Sequence, residues 1–133
     1  MSKTILIVDD SSSLRTVVKL ALTRAGYEVL EAGDGEEALT RLDGRKIHLI
    51  VSDVNMPRMD GREALQHIKT DPNLRSIPVV ILTTSKEEED MIRGYDLGAA
   101  SYITKPVNFE GLVDLMRAIG RYWIEFVELP HNK

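Results

Sequence analysis

Two runs of aliphatic residues without polar alternation constrain this chain more than any other feature. One is Leu49-Ile50-Val51, reached through His48 and leaving through Ser52 to Asp53; the other is Ile5-Leu6-Ile7-Val8, leading into Asp9 and Asp10. A strand with one wet face alternates apolar and polar side chains, so an unbroken apolar run suits a strand covered on both faces, as in the parallel sheet of an α/β protein. Both runs end on acid. Pro57, lacking an N–H, bars further ladder pairing after the run that ends at Asp53. Ligands of parallel sheets bind beyond the carboxyl ends of the strands, so three aspartates are expected to converge on one crevice. Carboxylates about 4 Å apart repel by roughly 4 kcal/mol at an effective dielectric near 20, so a cation belongs among them.

Strand and helix signals alternate along the rest of the chain. Ser11, Ser12 and Ser13 offer N-caps to a first helix carrying Leu14, Val17, Val18, Ala21 and Leu22 and closed by Gly26. Residues Glu28 to Ala32 read as a second strand. Asp34 followed by Glu37 resembles a capping box before Ala38, Leu39 and Leu42, and Asp43-Gly44 closes that helix. A third helix starts at Asp60 and Glu63, runs through Leu65 and Ile68, and gives way to the turn Asp71-Pro72-Asn73. Pro78 to Thr84 forms a fourth buried strand. Ser85 and Glu88 cap a fourth helix bearing Met91, Ile92 and Tyr95, with Glu87 to Asp90 read as its solvated start. Ser101 to Thr104 is a fifth strand, and one long helix runs from about Asn108 through Leu112, Leu115, Met116, Ile119 and Trp123. Such an order predicts a doubly wound five-stranded sheet with five helices.

With 133 residues, 43% of them hydrophobic, the chain suits a single domain: 1–129 as the folded unit and 130–133 as a short tail, with no further domain. It contains no cysteine, which excludes disulfides and thiolate metal sites. A net charge of −4 argues against nucleic acid as the main partner. Met1-Ser2-Lys3-Thr4 lacks the apolar stretch of a signal peptide, and no long apolar span follows, so no membrane association and a cytoplasmic location are expected. His48, His67 and His131 share no metal-ligand spacing.

The strand ends together supply Asp9, Asp10, Asp53, Thr83 and Lys105. Mg²⁺ binds through one or two carboxylates while keeping waters and phosphate oxygens, which makes Asp10 and Asp53 candidate direct ligands and Asp9 a ligand through water. A carboxylate can itself attack phosphorus, and Asp53 is the candidate nucleophile. Catalysis of such a transfer is mostly positioning and charge neutralisation, for which a metal ion, the Lys105 ammonium and the Thr83 hydroxyl suffice.

Ile-Leu-Ile-Val-Asp9-Asp10, Ser-Asp53-Val-Asn-Met-Pro-Arg-Met-Asp-Gly, Leu-Thr83-Thr and Tyr102-Ile-Thr-Lys105-Pro106, in that order, resemble the motifs of response-regulator receiver domains of the CheY type over essentially the whole chain. The resemblance implies a flavodoxin-like sheet of strand order 2-1-3-4-5, a Mg²⁺ cofactor, and a phosphoryl donor on a sensor histidine kinase or phosphotransfer protein. It implies Asp53 as phosphoacceptor, Asn55 giving a backbone carbonyl to the metal, Thr83 and Lys105 gripping the phosphoryl group, and Thr83 with Tyr102 as the switch pair. It implies a cis peptide between Lys105 and Pro106. Phosphorylation in such domains alters the surface of the fourth helix, fifth strand and fifth helix, where a downstream protein or a second copy binds. The ending around Tyr122, Trp123 and Phe126 is similar to stand-alone receivers associated with phytochromes.

Three other functions fit these residues less well. An aspartyl phosphatase wants a second acid two residues after its nucleophile, and Asn55 stands there, unable to transfer a proton at neutral pH. A binding module that is never phosphorylated would not need Asp53, Thr83 and Lys105 together. A nucleotide binder fits worse, since Asp9-Asp10-Ser11-Ser12-Ser13 puts acid where a glycine-rich cradle would hold phosphate. The expectation is a signalling switch, catalysing only its own phosphorylation and slow dephosphorylation.

Overall fold

A computed structural model describes residues 3–42, 46–53, 61–93 and 98–126, with side chains described for all of these but 61–65, 109, 125 and 126. Asp43, Gly44, Asn55, Pro57, Asp60, Tyr95 and the tail 130–133, all invoked above, lie outside the described residues, as do the side chains of Glu63, Leu65 and Phe126.

The strands are β1 (Thr4–Val8), β2 (Glu28–Ala32), β3 (Leu49–Asp53), β4 (Val79–Thr83) and β5 (Ser101–Thr104). The helices are α1 (Ser12–Arg24), α2 (Gly35–Arg41), α3 (Gly61–Thr70), α4 (Lys86–Arg93) and α5 (Phe109–Gly120). All neighbours pair in parallel, in the order β2-β1-β3-β4-β5. Every residue of β1, β3 and β4 is buried, as their unbroken apolar runs require, whereas β5 at the sheet edge is mostly half-buried. Side-chain alternation divides the core in two. Leu6, Val8, Ile50, Val79 and Ile81 face Ala38, Ile68 and Ile92, while Ile5, Ile7, Leu49, Val51 and Val80 face Val18, Leu22, Leu112 and Met116. Each such aliphatic side chain contributes about 1.5–3 kcal/mol when fully buried.

Helix starts follow local chemistry. Ser11 Oγ accepts from the Leu14 N–H at α1. At α2 the Asp34 carboxylate accepts from Glu37 N–H, and the Glu37 carboxylate accepts from Gly33 N–H, one residue before the cap. The same pattern recurs at α4, where Ser85 Oγ accepts from Glu88 N–H and Glu88 accepts from Thr84 N–H. These variants of the capping box satisfy amides that the helix leaves unpaired. Gly26 ends α1 with a φ of +99°, a conformation that side chains resist. The expected single long last helix changes character instead: α5 stops at Gly120 and continues as a π-helical segment, Arg121–Phe126. A Cβ on Gly120 would stand 3.0 Å from Tyr27 Cε2, so any side chain there would have to displace the Tyr27 ring by a few tenths of an ångström.

Candidate functional site

Strand register delivers the site. Val8 pairs with Ser52, so Asp9 leaves β1 level with Asp53 at the end of β3, between the two strands where the winding direction reverses. Asp53 pairs with Leu82, and Thr83 with Thr104, which sets Thr83 and Lys105 just beyond Asp53 on the same edge. This is the crevice where open α/β sheets bind ligands.

Oxygen atoms of Asp9, Asp10 and Asp53 lie within 4.8 Å of one another, with Asp9 and Asp53 buried and Asp10 exposed. Lys105 Nζ stands 3.4 Å from Asp9 Oδ2 and 3.4 Å from Asp53 Oδ2, the cation that converging acids demand. Burial pushes the Lys105 ammonium down, and the combined attraction of Asp53 and Asp9 more than reverses this, so its pKa lies above the ordinary lysine value. The Asp9 carboxylate also accepts from Ser11 N–H. The Arg15 guanidinium donates to the Asp9 carbonyl and pairs with Glu31 of β2 at 3.2 Å, fixing the turn that carries both acids. Asp10 makes no hydrogen bond or ion pair among the described residues, so its carboxylate is available to a ligand. An all-oxygen donor set at an exposed strand edge suits a hard divalent cation that keeps part of its water shell.

Thr83 is fully buried at 0% exposure, and its hydroxyl finds acceptors in Ser85 O at 3.3 Å, Ile103 O at 3.5 Å and Thr104 Oγ1 at 3.4 Å. Tyr102 lies inward at 8% exposure, and its hydroxyl, though buried, has no hydrogen-bond partner among the described residues. Orphaning a buried phenol costs about 1–3 kcal/mol, which a rotamer reaching solvent would recover. The cis peptide expected between Lys105 and Pro106 is not found: no cis bond occurs among the described residues. Trans is the lower-energy state of an X–Pro bond unless tertiary contacts select against it. Here Lys105 N–H pairs with Thr83 O at 2.8 Å and its ammonium reaches both acids without the cis form.

Glu89 also departs from its sequence reading. Glu89, placed in a solvated helix start, is buried at 6% exposure and sits in a network between α4 and β5. It accepts from Lys86 Nζ at 2.7 Å, Arg93 Nε at 3.4 Å and Thr104 Oγ1 at 3.3 Å. Arg93 also donates to Tyr102 O at 2.7 Å and stacks 5.5 Å from the centre of its ring. A run of four acids conceals which one turns inward; the available signals were Lys86 and Arg93, three residues before it and four after. Among the aromatics of the last helix, Trp123 packs on the core and Tyr122 is 56% exposed, their rings meeting edge to face. No described helix is long and apolar enough to cross a membrane.

Residues 5–117 match the family model of the response regulator receiver domain. Response regulator Rcp1 of Synechocystis sp. strain PCC 6803 is 37% identical over 96% of this chain and 93% of its own length. The alkaline phosphatase synthesis transcriptional regulatory protein PhoP of Bacillus subtilis is 42% identical, but this chain spans only 43% of it. Among solved structures, the phosphorylated cyanobacterial phytochrome response regulator RcpA superposes with a TM-score of 0.87 at 36% identity, over 98% of this chain and 99% of that one. The Mn²⁺-bound form of Rcp1 gives 0.83 at 37% identity, over 96% and 99%. The chemotaxis response regulator CheY4 of Vibrio cholerae gives 0.77 at 36% identity, over 90% and 99%.

Proposed function

Since the chain belongs to the response-regulator receiver family, whose members are the phosphorylation-activated switches of two-component systems and bind divalent metal, we propose that Asp53 is its phosphoacceptor. The observation that carries this assignment is the pair of 3.4 Å contacts from Lys105 Nζ to Asp9 and Asp53 at the strand edge. They put a buried carboxylate, a fixed cation and two further acids around one point.

In the transfer, an Asp53 carboxylate oxygen attacks phosphorus as the bond from phosphorus to the donor's leaving atom breaks, and the leaving group keeps that electron pair. The donor is a histidine kinase or a phosphotransfer protein. Asp10, Asp53 and the Asn55 carbonyl would hold the metal directly, with Asp9, already engaged by Lys105 and Ser11, acting through water. Bound there, Mg²⁺ supplies positive charge to the phosphoryl oxygens. Lys105 leaves its paired acids for the incoming phosphoryl group, and Thr83 turns its hydroxyl from Thr104 and its neighbouring carbonyls toward the same group. Tyr102 follows into the space that Thr83 vacates, which biases the surface of α4, β5 and α5. With Asn55 two residues after Asp53, no side-chain acid at that position activates water, so the aspartyl phosphate is hydrolysed only slowly and persists as a signal.

Incubation with acetyl phosphate and Mg²⁺ followed by intact-protein mass measurement tests this reading. One added phosphoryl group, lost with EDTA and in Asp53→Asn, is expected. A folded wild-type protein that gains none would refute it.

A further inference from the structure

We propose that Thr104 and Glu89 are positioning residues of the switch, carrying the position of the Thr83 hydroxyl to α4 and, through Arg93, to Tyr102. The proposal rests on the receiver reading above and goes beyond its pair of Thr83 and Tyr102.

Donors and acceptors form one directed chain. The Thr83 hydroxyl has Thr104 Oγ1 at 3.4 Å as one of three acceptors in reach of its single proton, beside Ser85 O at 3.3 Å and Ile103 O at 3.5 Å, and Thr104 donates to Glu89 at 3.3 Å. Glu89 takes Arg93 at 3.4 Å on its other oxygen, and Arg93 donates to the Tyr102 carbonyl at 2.7 Å while covering the Tyr102 ring. An almost fully buried carboxylate is retained only when paired and hydrogen-bonded, so each donor bears on where Glu89, and with it α4, sits against β5. Hydrogen bonds in such a chain polarise one another, so withdrawing the first donor weakens the second. A Thr83 hydroxyl turned toward a phosphoryl group no longer donates to Thr104. The grip of Thr104 on Glu89 then loosens, and Arg93 is freed to shift its hold on Tyr102. Residues Lys86–Arg93 are thereby coupled to the chemistry at Asp53 across β5 and not only through the loop that joins β4 to α4.

Thr104→Val removes the hydroxyl at nearly constant volume, and Glu89→Gln keeps the shape while removing the charge. Amide hydrogen exchange over Lys86–Arg93 is compared with and without acetyl phosphate and Mg²⁺, and intact mass records phosphoryl uptake in the same samples. Wild-type protein is expected to change α4 exchange by about fivefold or more on phosphorylation, the lower end of ordinary allosteric coupling. Thr104→Val is expected to take up phosphate normally yet to keep less than half of that change, and Glu89→Gln to do the same. A merely structural contact would alter exchange equally in both states and leave the difference intact. A full wild-type change in phosphorylated Thr104→Val overturns the relay while leaving the receiver reading standing. Loss of phosphoryl uptake in Thr104→Val also overturns it, by placing Thr104 in the transfer itself. No uptake by the wild-type protein refutes the receiver reading, and the relay with it.

Discussion

Lys105 holds two like charges together, and that fixes what its removal should do. At 3.4 Å each carboxylate attracts the ammonium by roughly 5 kcal/mol at an effective dielectric near 20, enough to outweigh partial burial. Lys105→Met would leave Asp9 and Asp53 to repel each other, and a divalent cation would then relieve more strain on binding. The variant should bind Mg²⁺ severalfold more tightly than wild type in a thermal-shift titration; equal or weaker binding would contradict the electrostatic assignment. Glu89 gives a pH signature. Its hydrogen bond from Lys86 holds the carboxyl below the ordinary value of 4.5, against the opposing effect of burial, with Arg93 adding to the pull. A depressed carboxyl contributes stability above the unfolded pKa and loses it as pH falls through the folded one. The advantage of wild type over Glu89→Gln in urea should therefore be full above pH 4.5 and shrink below it. An advantage that grows with acidity would reverse the sign. At this scale Asp9, Asp53 and Lys105 were legible because each ends a strand signal. Glu89 was not, because its partner Thr104 is distant in sequence, and the nearby Lys86 and Arg93 do not by themselves mark which of four acids turns inward.

Caps and turns decide the elements. Asp34 accepts the Glu37 amide in β geometry, so Asp34→Ala should cost about 1 kcal/mol in urea unfolding, the ordinary worth of an N-cap. Gly26 has open space around the position of a Cβ, so Gly26→Ala tests backbone strain alone. About 1 kcal/mol of destabilisation is expected from the left-handed conformation, and none would mean the backbone relaxes. The strands and these caps were readable from aliphatic runs and from Ser or Asp placed before a helix. The π-helical end of the last helix was not. Tyr122, Trp123 and Phe126 continue an apolar period compatible with either winding, and the contact of Tyr27 with Gly120 joins residues far apart in the chain.

For the whole molecule, the parallel order β2-β1-β3-β4-β5 turns separate sequence motifs into one site, because register alone sets Asp9 beside Asp53 and Thr83 beside Thr104. The alternation of strand and helix signals carries this topology, while the side-chain network across β5 joins residues that no sequence spacing relates. The fold should therefore tolerate loss of the chemistry: Asp53→Asn, which removes a buried charge between Lys105 and the other acids, should keep the far-ultraviolet circular dichroism of wild type. Reducing the acetyl phosphate-treated protein with borohydride converts an aspartyl phosphate to homoserine, which peptide mass spectrometry locates. The account predicts homoserine at position 53 and nowhere else, dependent on Mg²⁺. Homoserine at position 9 or 10, or none in protein that has gained a phosphoryl group, would contradict it.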